Sequence, residues 1–76
     1  MKGKKIYDQC EINGVRFAIL VDDEERLAYE AVWDGDRWNT DFIYPINEVE
    51  SFDVYENLDF DGVRELGYRF EDDPIE

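Results

Sequence analysis

The sequence predicts a small α+β domain, an antiparallel β-meander of four or five strands with one short helix. Three observations favour this fold class. Apolar and polar residues alternate through the first half of the chain, as in a sheet with one wet face. Two turn pairs, Asn13-Gly14 and Asp34-Gly35, separate the alternating stretches. Further on, Asp59 and Gly67 stand where a short helix would have its N-cap and its C-terminal stop.

Four strands are expected before Pro45. The stretch KIYDQCEI leads through Asn13-Gly14 into VRFAILVD, and a charged turn at residues 22–25 leads into RLAYEAVW. The turn at Asp34-Gly35 then leads into RWNTDFIY. Alternation assigns one face of these strands to the core. The predicted inner face consists of Ile6, Cys10, Ile12, Val15, Phe17, Ile19, Val21, Leu27, Tyr29, Ala31, Trp33, Trp38, Phe42 and Tyr44.

The two tryptophans flank the second turn pair. Trp33 directly precedes Asp34-Gly35 and Trp38 follows it within the next predicted strand. Residues placed in this way on two arms of a hairpin face each other on one side of the sheet. We therefore expect Trp33 and Trp38 to form a cross-strand pair rather than a stacking platform for a ligand.

The stretch NEVESFDVYENLDFDG, residues 47–62, contains six carboxylates and no cation. On a helical wheel its acids spread over roughly 220° and its apolar residues are equally scattered. As a strand it is more regular, since Phe52, Val54, Leu58 and Phe60 share one face. We therefore predict a fifth strand near residues 51–57, with a helical turn at 46–50 left open.

The last part of the chain is expected to hold the one helix. Asp59 can cap a helix that continues through Leu66 and stops at Gly67. The following stretch, YRFEDD, is either a last short strand or a tail. No repeat or linker divides the chain, so residues 1–76 are expected to form a single domain.

Composition restricts the setting in which the protein acts. The 21 acidic and 8 basic residues give a formal net charge of −13. One cysteine, Cys10, allows no internal disulfide and favours a reducing compartment. The longest apolar run, FAILV, is far shorter than a membrane span, and no apolar segment follows the basic N-terminus. We therefore expect a cytoplasmic protein without a membrane partner, in a host cytoplasm if a phage encodes it.

The residues needed for catalysis are largely missing. There is no histidine and only one serine, so a nucleophile with an adjacent imidazole base cannot be assembled. Carboxylate pairs are plentiful, but so short a chain can hardly frame a substrate cleft as well as a core. No glycine-rich phosphate loop is present, and the acidic balance excludes direct nucleic-acid binding. The sequence thus predicts neither an enzyme nor a cofactor site.

One stretch has the spacing of a calcium loop. Residues 57–62 (NLDFDG) match the first half of an EF-hand loop, with oxygen ligands at positions 1, 3 and 5 and glycine at 6. The glutamate expected at position 12 falls on Tyr68, and Gly67 would break the exiting helix. We predict no metal site, although the sequence leaves calcium binding by residues 57–61 open.

The negative charge has three interpretations. It can be an ordinary solvated surface, such as a salt adaptation, with only a structural or interaction role. It can be a nucleic-acid decoy, since duplex DNA carries one charge per about 1.7 Å and basic grooves attract such a surface. Or it can belong to an immunity protein or antitoxin that neutralises a basic nuclease. Salt dependence separates the first interpretation from the others, because a decoy stays folded at low salt and binds more tightly there.

In size, acidity, single cysteine and absence of catalytic groups, the chain resembles the small acidic inhibitors that phages and mobile elements direct against host nucleic-acid machinery. Anti-CRISPR proteins and restriction-blocking DNA mimics are members of this class. The resemblance covers the whole chain through no specific motif, so no functional residue is carried over. It implies stoichiometric inhibition of a basic nucleic-acid-binding protein, such as a CRISPR effector, a nuclease or a restriction enzyme.

The residues expected to contact that partner lie in the most acidic part of the chain. Each carboxylate would take the place of a phosphate and accept hydrogen bonds from arginine or lysine. Tyr55 would add a contact that salt does not weaken. The predicted partner-binding residues are Glu48, Glu50, Asp53, Tyr55, Glu56, Asp59 and Asp61, with Asp72 and Asp73 as weaker members.

Overall fold

The computed structural model of the chain describes residues 3–71 and confirms the α+β fold class. Four strands form an antiparallel meander, and a fifth short strand pairs in parallel with the third. One more helix is present than the sequence predicted. The elements are β1 (Lys5–Ile12), β2 (Val15–Asp22), β3 (Leu27–Trp33), β4 (Trp38–Asn39), α1 (Ser51–Asn57), α2 (Phe60–Glu65) and β5 (Arg69–Phe70).

The first two turns of the meander form where the sequence placed them. Asn13 and Gly14 have φ of 53° and 79°, the positive values that a two-residue type I′ hairpin requires. In the next turn one carboxylate oxygen of Asp22 accepts hydrogen bonds from the N–H groups of Glu24 and Glu25, at 2.9 and 3.1 Å. Both turns thereby fix the register of β2 against its neighbours.

The third turn creates the expected tryptophan pair. Trp33 and Trp38 are directly opposite in the β3–β4 register, with ring centroids 5.2 Å apart in an edge-on arrangement. The fourth strand is much shorter than the stretch RWNTDFIY predicted. A side-chain oxygen of Asn39 accepts a hydrogen bond from the N–H of Asp41 at 2.8 Å, and this turn takes the chain away from the sheet.

The predicted inner face is wrong at one position of β1, throughout β3 and at Trp38 in β4, which packs against the opposite face of the sheet. In β1 a register shift between Ile6 and Asp8 leaves Ile6 45% exposed, and Tyr7 packs against the core instead. In β3 the main core receives Ala28 and Val32 rather than the predicted face. The displaced members of that predicted face are Leu27, Tyr29, Ala31 and Trp33.

The reason for the reversal lies in β2, which is buried on both sides. All five residues of the run FAILV, positions 17–21, are buried. Phe17, Ile19 and Val21 enter the main core, while Ala18 and Leu20 join Ala31 in a second cluster on the opposite face. Because both faces of β2 accept apolar partners, alternation could not decide which face of β3 lies inward.

The predicted fifth strand at residues 51–57 is wrong, because these residues form α1. The helix buries Val54, and Leu58 directly after it is also buried, a spacing of four residues. Phe52, which the strand interpretation placed inward, is 64% exposed. The alternation in this segment favoured a strand, but a short helix can pack on the core with only one narrow apolar stripe.

The helix predicted after Asp59 is confirmed as α2. Asp59 is its N-cap, and a carboxylate oxygen accepts a hydrogen bond from the N–H of Gly62 at 3.0 Å. Leu66 is the C-cap, and Gly67 follows with a φ of 102°. The guanidinium of Arg26 donates to the carbonyl of Leu66 at 2.7 Å, which ties the end of α2 to the β2–β3 turn.

One main core holds the two helices on the sheet. It combines the inner residues of β2 and β3 with Val49, Val54, Leu58, Phe60 and Val63 from the helical segment. Phe42, Tyr44 and Cys10 pack against it as half-buried residues, as the sequence predicted for these three positions. Burial raises the pKa of the Cys10 thiol, so the thiolate needed for reactivity is disfavoured.

Candidate functional site

The acidic segment, residues 47–62, begins in a tight turn that presents Glu48. Ile46 and Val49 exchange backbone hydrogen bonds of 3.1 and 2.8 Å across the turn. Asn47 and Glu48 between them have φ of 51° and 69°. Glutamate rarely adopts this left-handed conformation, which glycine would accept without cost. Glu48 is exposed and does not belong to the hydrophobic core.

Two asparagines attach this turn to the sheet. The Asn13 amide donates to the carbonyl of Asn47 at 3.2 Å, and the Asn47 amide donates to the carbonyl of Asn13 at 2.6 Å. This reciprocal pair connects the β1–β2 hairpin to the start of the acidic segment. The position of Glu48 is therefore fixed relative to the sheet although the residue lies in a loop.

The next two acids organise the start of α1. Glu50 is the N-cap, and its backbone N–H donates to a carboxylate oxygen of Asp53 at 3.0 Å. The Asn57 amide donates to the carbonyl of Asp53 at 2.8 Å near the other end of the helix. Asp53, predicted only as a contact residue, is therefore also part of a helix cap. Glu50 and Glu56 are exposed.

Asp59 connects α2 to β1. One of its carboxylate oxygens caps α2, and the other accepts a hydrogen bond from the Tyr7 hydroxyl at 2.9 Å. Its backbone N–H donates to a carboxylate oxygen of Asp8 at 3.0 Å. The hydrogen bond to Asp59 raises the pKa of the Tyr7 hydroxyl. Asp61 lies exposed in the first turn of α2.

The predicted acids differ in how much of their hydrogen-bonding capacity remains. Asp53 and Asp59 already accept bonds from the protein itself. Glu50 forms a capping box with Asp53 at the start of α1. Three further predicted acids within residues 3–71 are exposed and accept no such bond, and these are Glu48, Glu56 and Asp61. Asp72 and Asp73 lie outside the described residues.

Three cations within residues 3–71 form ion pairs with acids outside the acidic segment. Lys5 lies 2.9 Å from a carboxylate oxygen of Asp23, and Arg26 lies 3.9 Å from the same side chain. Arg37 lies 4.0 Å from Asp34 in the β3–β4 turn. Across these described residues, no ion pair joins a lysine or arginine to a carboxylate of residues 47–62. Within residues 3–71, the negative charge of the segment is therefore uncompensated by ion pairs.

Two aromatic side chains accompany the exposed acids. Tyr55 is 50% exposed and stacks on Phe60, with ring centroids 5.1 Å apart. Phe52 is more exposed still. Tyr55, Phe52 and Phe70 line one shallow cavity. Sequence analysis assigned a contact role to Tyr55 but placed Phe52 in the core. A helical spacing of three residues between 52 and 55 was the available signal, and the strand prediction hid it.

The calcium-like stretch is built as the junction of two helices. Asn57 ends α1, Asp59 caps α2 and Phe60 begins it, so residues 57–62 do not form a loop around a cavity. In the described part of the chain, no group of three or more His, Cys, Asp or Glu side chains is arranged to hold a metal ion.

Comparison with known proteins adds no assignment, since no protein-family model, curated protein or solved structure matches this chain. The α-helices formed by residues 3–71 are all too short and too polar to cross a membrane. The functional argument therefore starts from the uncompensated acidic segment and the aromatic side chains beside it.

Proposed function

We propose that this domain is a stoichiometric inhibitor that acts as a nucleic-acid mimic. The acidic segment would occupy a basic DNA- or RNA-binding groove of a host defence or nucleic-acid-processing protein, in the manner of anti-CRISPR proteins. The domain would act by binding in the cytoplasm of the host rather than by catalysis. One observation carries the proposal: the acids of residues 47–62 lie on two short helices and directly before them, five of the six are exposed, and none has a paired cation within residues 3–71.

The density of charge in this segment suits such a partner. At 1.5 Å per residue, α1 and α2 have a combined length of about 20 Å. Seven carboxylates belong to these helices and the residues that lead into them. The result is about one charge per 2.8 Å, which lies between the 1.7 Å spacing of charges along duplex DNA and the 3.4 Å spacing along one strand. A groove that binds a phosphate backbone would meet a comparable potential here.

The backbone of Glu48 supports a role for that carboxylate. A left-handed conformation costs a residue other than glycine about 1–2 kcal/mol. The cost falls on an exposed side chain at the tip of a turn, where glycine would remove it. A strained residue that packing does not require is a reason to infer selection for its side chain.

The exposed aromatics would supply the part of the interface that salt does not weaken. Tyrosine and phenylalanine bury large apolar areas at interfaces, and tyrosine adds a hydrogen-bonding group. Tyr55 and Phe52 lie on α1 among the acids, so the same docking movement would bring both kinds of contact to the partner. Charge would govern the rate of encounter, and the aromatics would slow dissociation.

The test compares two variants that change the net charge equally. Glu48→Lys, Glu56→Lys and Asp61→Lys together reverse three acids of the segment that accept no internal hydrogen bond. Glu11→Lys, Glu25→Lys and Asp36→Lys reverse three exposed acids of the sheet and its turns. Each immobilised variant and the parent would be incubated with native host lysate at low salt. Bound proteins would then be challenged with duplex DNA and with RNA.

We expect the parent and the sheet variant to retain one nucleic-acid-binding protein that DNA or RNA releases, and the segment variant to lose it. Equal loss from both variants would reduce the interaction to bulk charge and contradict the proposal. Retention by the segment variant would show that the assigned surface is wrong. Release of a cognate toxin nuclease encoded beside the domain would favour an immunity protein instead.

A further inference from the structure

Two cavities meet at the inner face of β3 and form one groove. The wider part, about 460 Å³, is lined by Glu30, Phe42, Tyr44, Phe70 and Glu71 among others. The second part lies against α1 and α2 and shares Glu30 and Phe70 with the first. We call this the Glu30 groove. Neither part was anticipated from the sequence, because Glu30 was assigned to the solvent face of the sheet.

Glu30 occupies a position where an apolar residue would be expected. It lies opposite Ile19 in the β2–β3 register, between the core residues Ala28 and Val32. The Tyr44 hydroxyl donates a hydrogen bond to one oxygen of its half-buried carboxylate. Among residues 3–71, no lysine or arginine forms an ion pair with this carboxylate. A carboxylate withdrawn from water is costly unless a cation or further donors reach it.

The walls of the groove are suited to an organic cation. Phe42 and Tyr44 meet edge-on with centroids 5.2 Å apart, and both rings line the wider part of the groove. The Phe70 ring already has the guanidinium of Arg64 5.0 Å from its centroid. The residues that line the wider part include two carboxylates, Glu30 and Glu71, and no lysine or arginine. Aromatic faces combined with carboxylates are the usual surroundings of bound ammonium and guanidinium groups.

The backbone of Glu30 faces the same gap. The N–H of Asp34 bonds to Arg37 on the β4 side of β3, and the carbonyl of Arg26 accepts from Arg69 on the β5 side. Alternate residues of a strand direct their N–H and C=O groups to the same edge. Residue 30 is an even number of positions from both 26 and 34, so its N–H and C=O point to the same edge of β3. There they face the gap between β4 and β5. A polypeptide ligand would find both groups there.

We propose that the Glu30 groove binds a lysine or arginine side chain presented by a partner protein. The cation would approach the Glu30 carboxylate while its aliphatic stem lies against Phe42, Tyr44 and Phe70. The assignment of that side chain to a basic nucleic-acid-binding partner rests on the proposed function, but the cation site itself does not. This anchor would fix the orientation of a complex that charge alone would leave loosely oriented.

The experiment uses short peptides and the isotope-labelled full chain. Acetylated and amidated Gly-Arg-Gly would be titrated at constant ionic strength, with binding observed by NMR. Gly-citrulline-Gly has nearly the same shape without the charge. Spermidine tests a free amine as the source of the cation. Glu30→Gln removes the carboxylate shared by both parts of the groove and leaves Glu71 in the first part and Arg64 in the second. Glu11→Gln makes the same change in net charge on the exposed face of β1.

We expect the arginine peptide to shift resonances of Glu30, Phe42, Tyr44 and Phe70, and the citrulline peptide to bind about tenfold more weakly. Glu30→Gln should abolish this preference and Glu11→Gln should keep it. Equal binding of both peptides, or equal effects of the two substitutions, would overturn the proposal. Tighter binding of spermidine than of the arginine peptide would overturn the assignment to a partner side chain.

A second variant keeps the test decisive if Glu30→Gln disturbs the fold. Phe42→Leu retains apolar volume but removes one aromatic wall, and it should weaken the arginine peptide about threefold without affecting the citrulline peptide. Equal weakening of both would contradict the cation site. Because these peptides require no nucleic-acid-binding partner, failure here leaves the mimic proposal standing. Failure of the lysate experiment likewise leaves the cation site standing.

Discussion

The two halves of this molecule handle acidic residues in different ways. Residues 3–39, the sheet half, contain nine acids and five bases, and the ion pairs at Asp23 and Asp34 lie there. Residues 40–71, the helical half, contain nine acids and two bases. Its acids serve as helix caps or remain exposed. Regular backbone pairing maintains the sheet, whereas the short helices depend on side chains for their ends.

At the junction between the halves, carboxylates accept hydrogen bonds from tyrosine hydroxyls. Tyr7 donates to Asp59, Tyr44 to Glu30 and Tyr68 to Asp23, and each bond joins one half to the other. A hydroxyl satisfies a carboxylate without neutralising it, so these bonds hold the fold together while the negative charge is preserved. Within residues 3–71, the ion pairs formed by lysine and arginine lie in the sheet half, and the following experiments test that division.

The largest effect is expected at the contact between α2 and β1. A Cβ at Gly62 would lie 2.1 Å from a carboxylate oxygen of Asp59 and 2.7 Å from the Tyr7 hydroxyl. Gly62→Ala should therefore displace the Asp59 carboxylate and remove both the cap and the interhalf bond. We expect the free energy of unfolding to fall by about 2 kcal/mol, measured by urea denaturation.

Gly35 provides the matched control. It has a φ of 98° and open space where a Cβ would be, so Gly35→Ala is strained by its backbone conformation alone. That substitution should cost about 1 kcal/mol. A smaller loss at Gly62 than at Gly35 would show that the contact between Asp59 and Tyr7 contributes little to stability.

The next effect concerns the half-buried bond between Tyr44 and Glu30. Tyr44→Phe should lower the free energy of unfolding by about 1.5 kcal/mol near neutral pH, since the hydroxyl donates to a charged acceptor. Burial first, and the bond to Glu30 second, raise the pKa of Tyr44 above its usual value of 10.0. Urea denaturation of the parent and the variant would measure the difference.

The raised pKa also fixes the sign of a pH dependence. A group whose pKa is higher in the folded state stabilises the fold below its unfolded pKa, and this contribution is lost as pH rises above it. The pKa values of Tyr7 and Tyr68 are raised as well, mainly by their bonds to Asp59 and Asp23. Stability should therefore decline above about pH 10. An unchanged alkaline decline in Tyr44→Phe would assign the effect to the other groups with raised pKa values, which are Tyr7, Tyr68, Tyr29, Lys5 and Cys10.

A smaller effect, of opposite sign, is expected at the turn that presents Glu48. Glu48→Gly relieves the strain of a φ of 69° and should raise the free energy of unfolding by about 1 kcal/mol. The same substitution should weaken binding of the proposed partner. Asn47→Gly at a φ of 51° is the control, because it also removes the bond from the Asn47 side-chain amide to the carbonyl of Asn13 and should not stabilise. Destabilisation by Glu48→Gly would mean that this side chain supports the fold.

The sequence predicted the elements whose signals are local. Asn13-Gly14 determines its own hairpin, and Asp59 with Gly67 determines both ends of α2. Prediction from the sequence failed where tertiary contacts determine which structure a segment adopts or which of its faces is buried. The inward face of β3 depends on its pairing with a β2 strand that is apolar on both sides, and α1 depends on a core that accepts Val54. The same reversal of β3 places Glu30 in the groove, so the proposed cation site could not be predicted from the sequence.

The smallest predicted effect tests the charge division most directly. Glu56 lies in the last turn of α1, where the helix dipole disfavours an acid, and that turn contains no basic residue. Glu11 lies directly opposite Arg16 in the β1–β2 register. Glu56→Gln should stabilise the fold by about 0.3–0.5 kcal/mol at low salt, and Glu11→Gln should destabilise it by a similar amount.

Added salt should reduce the difference in stability between these two variants. Both effects are interactions between exposed charges, and they should shrink toward zero as the Debye length falls from about 30 Å at 0.01 M to about 3 Å at 1 M salt. Urea midpoints of the parent and the two variants at both salt concentrations would measure this convergence. Changes of the same sign in the two variants at low salt would mean that the halves do not differ, and that the net charge of the chain acts uniformly on its stability.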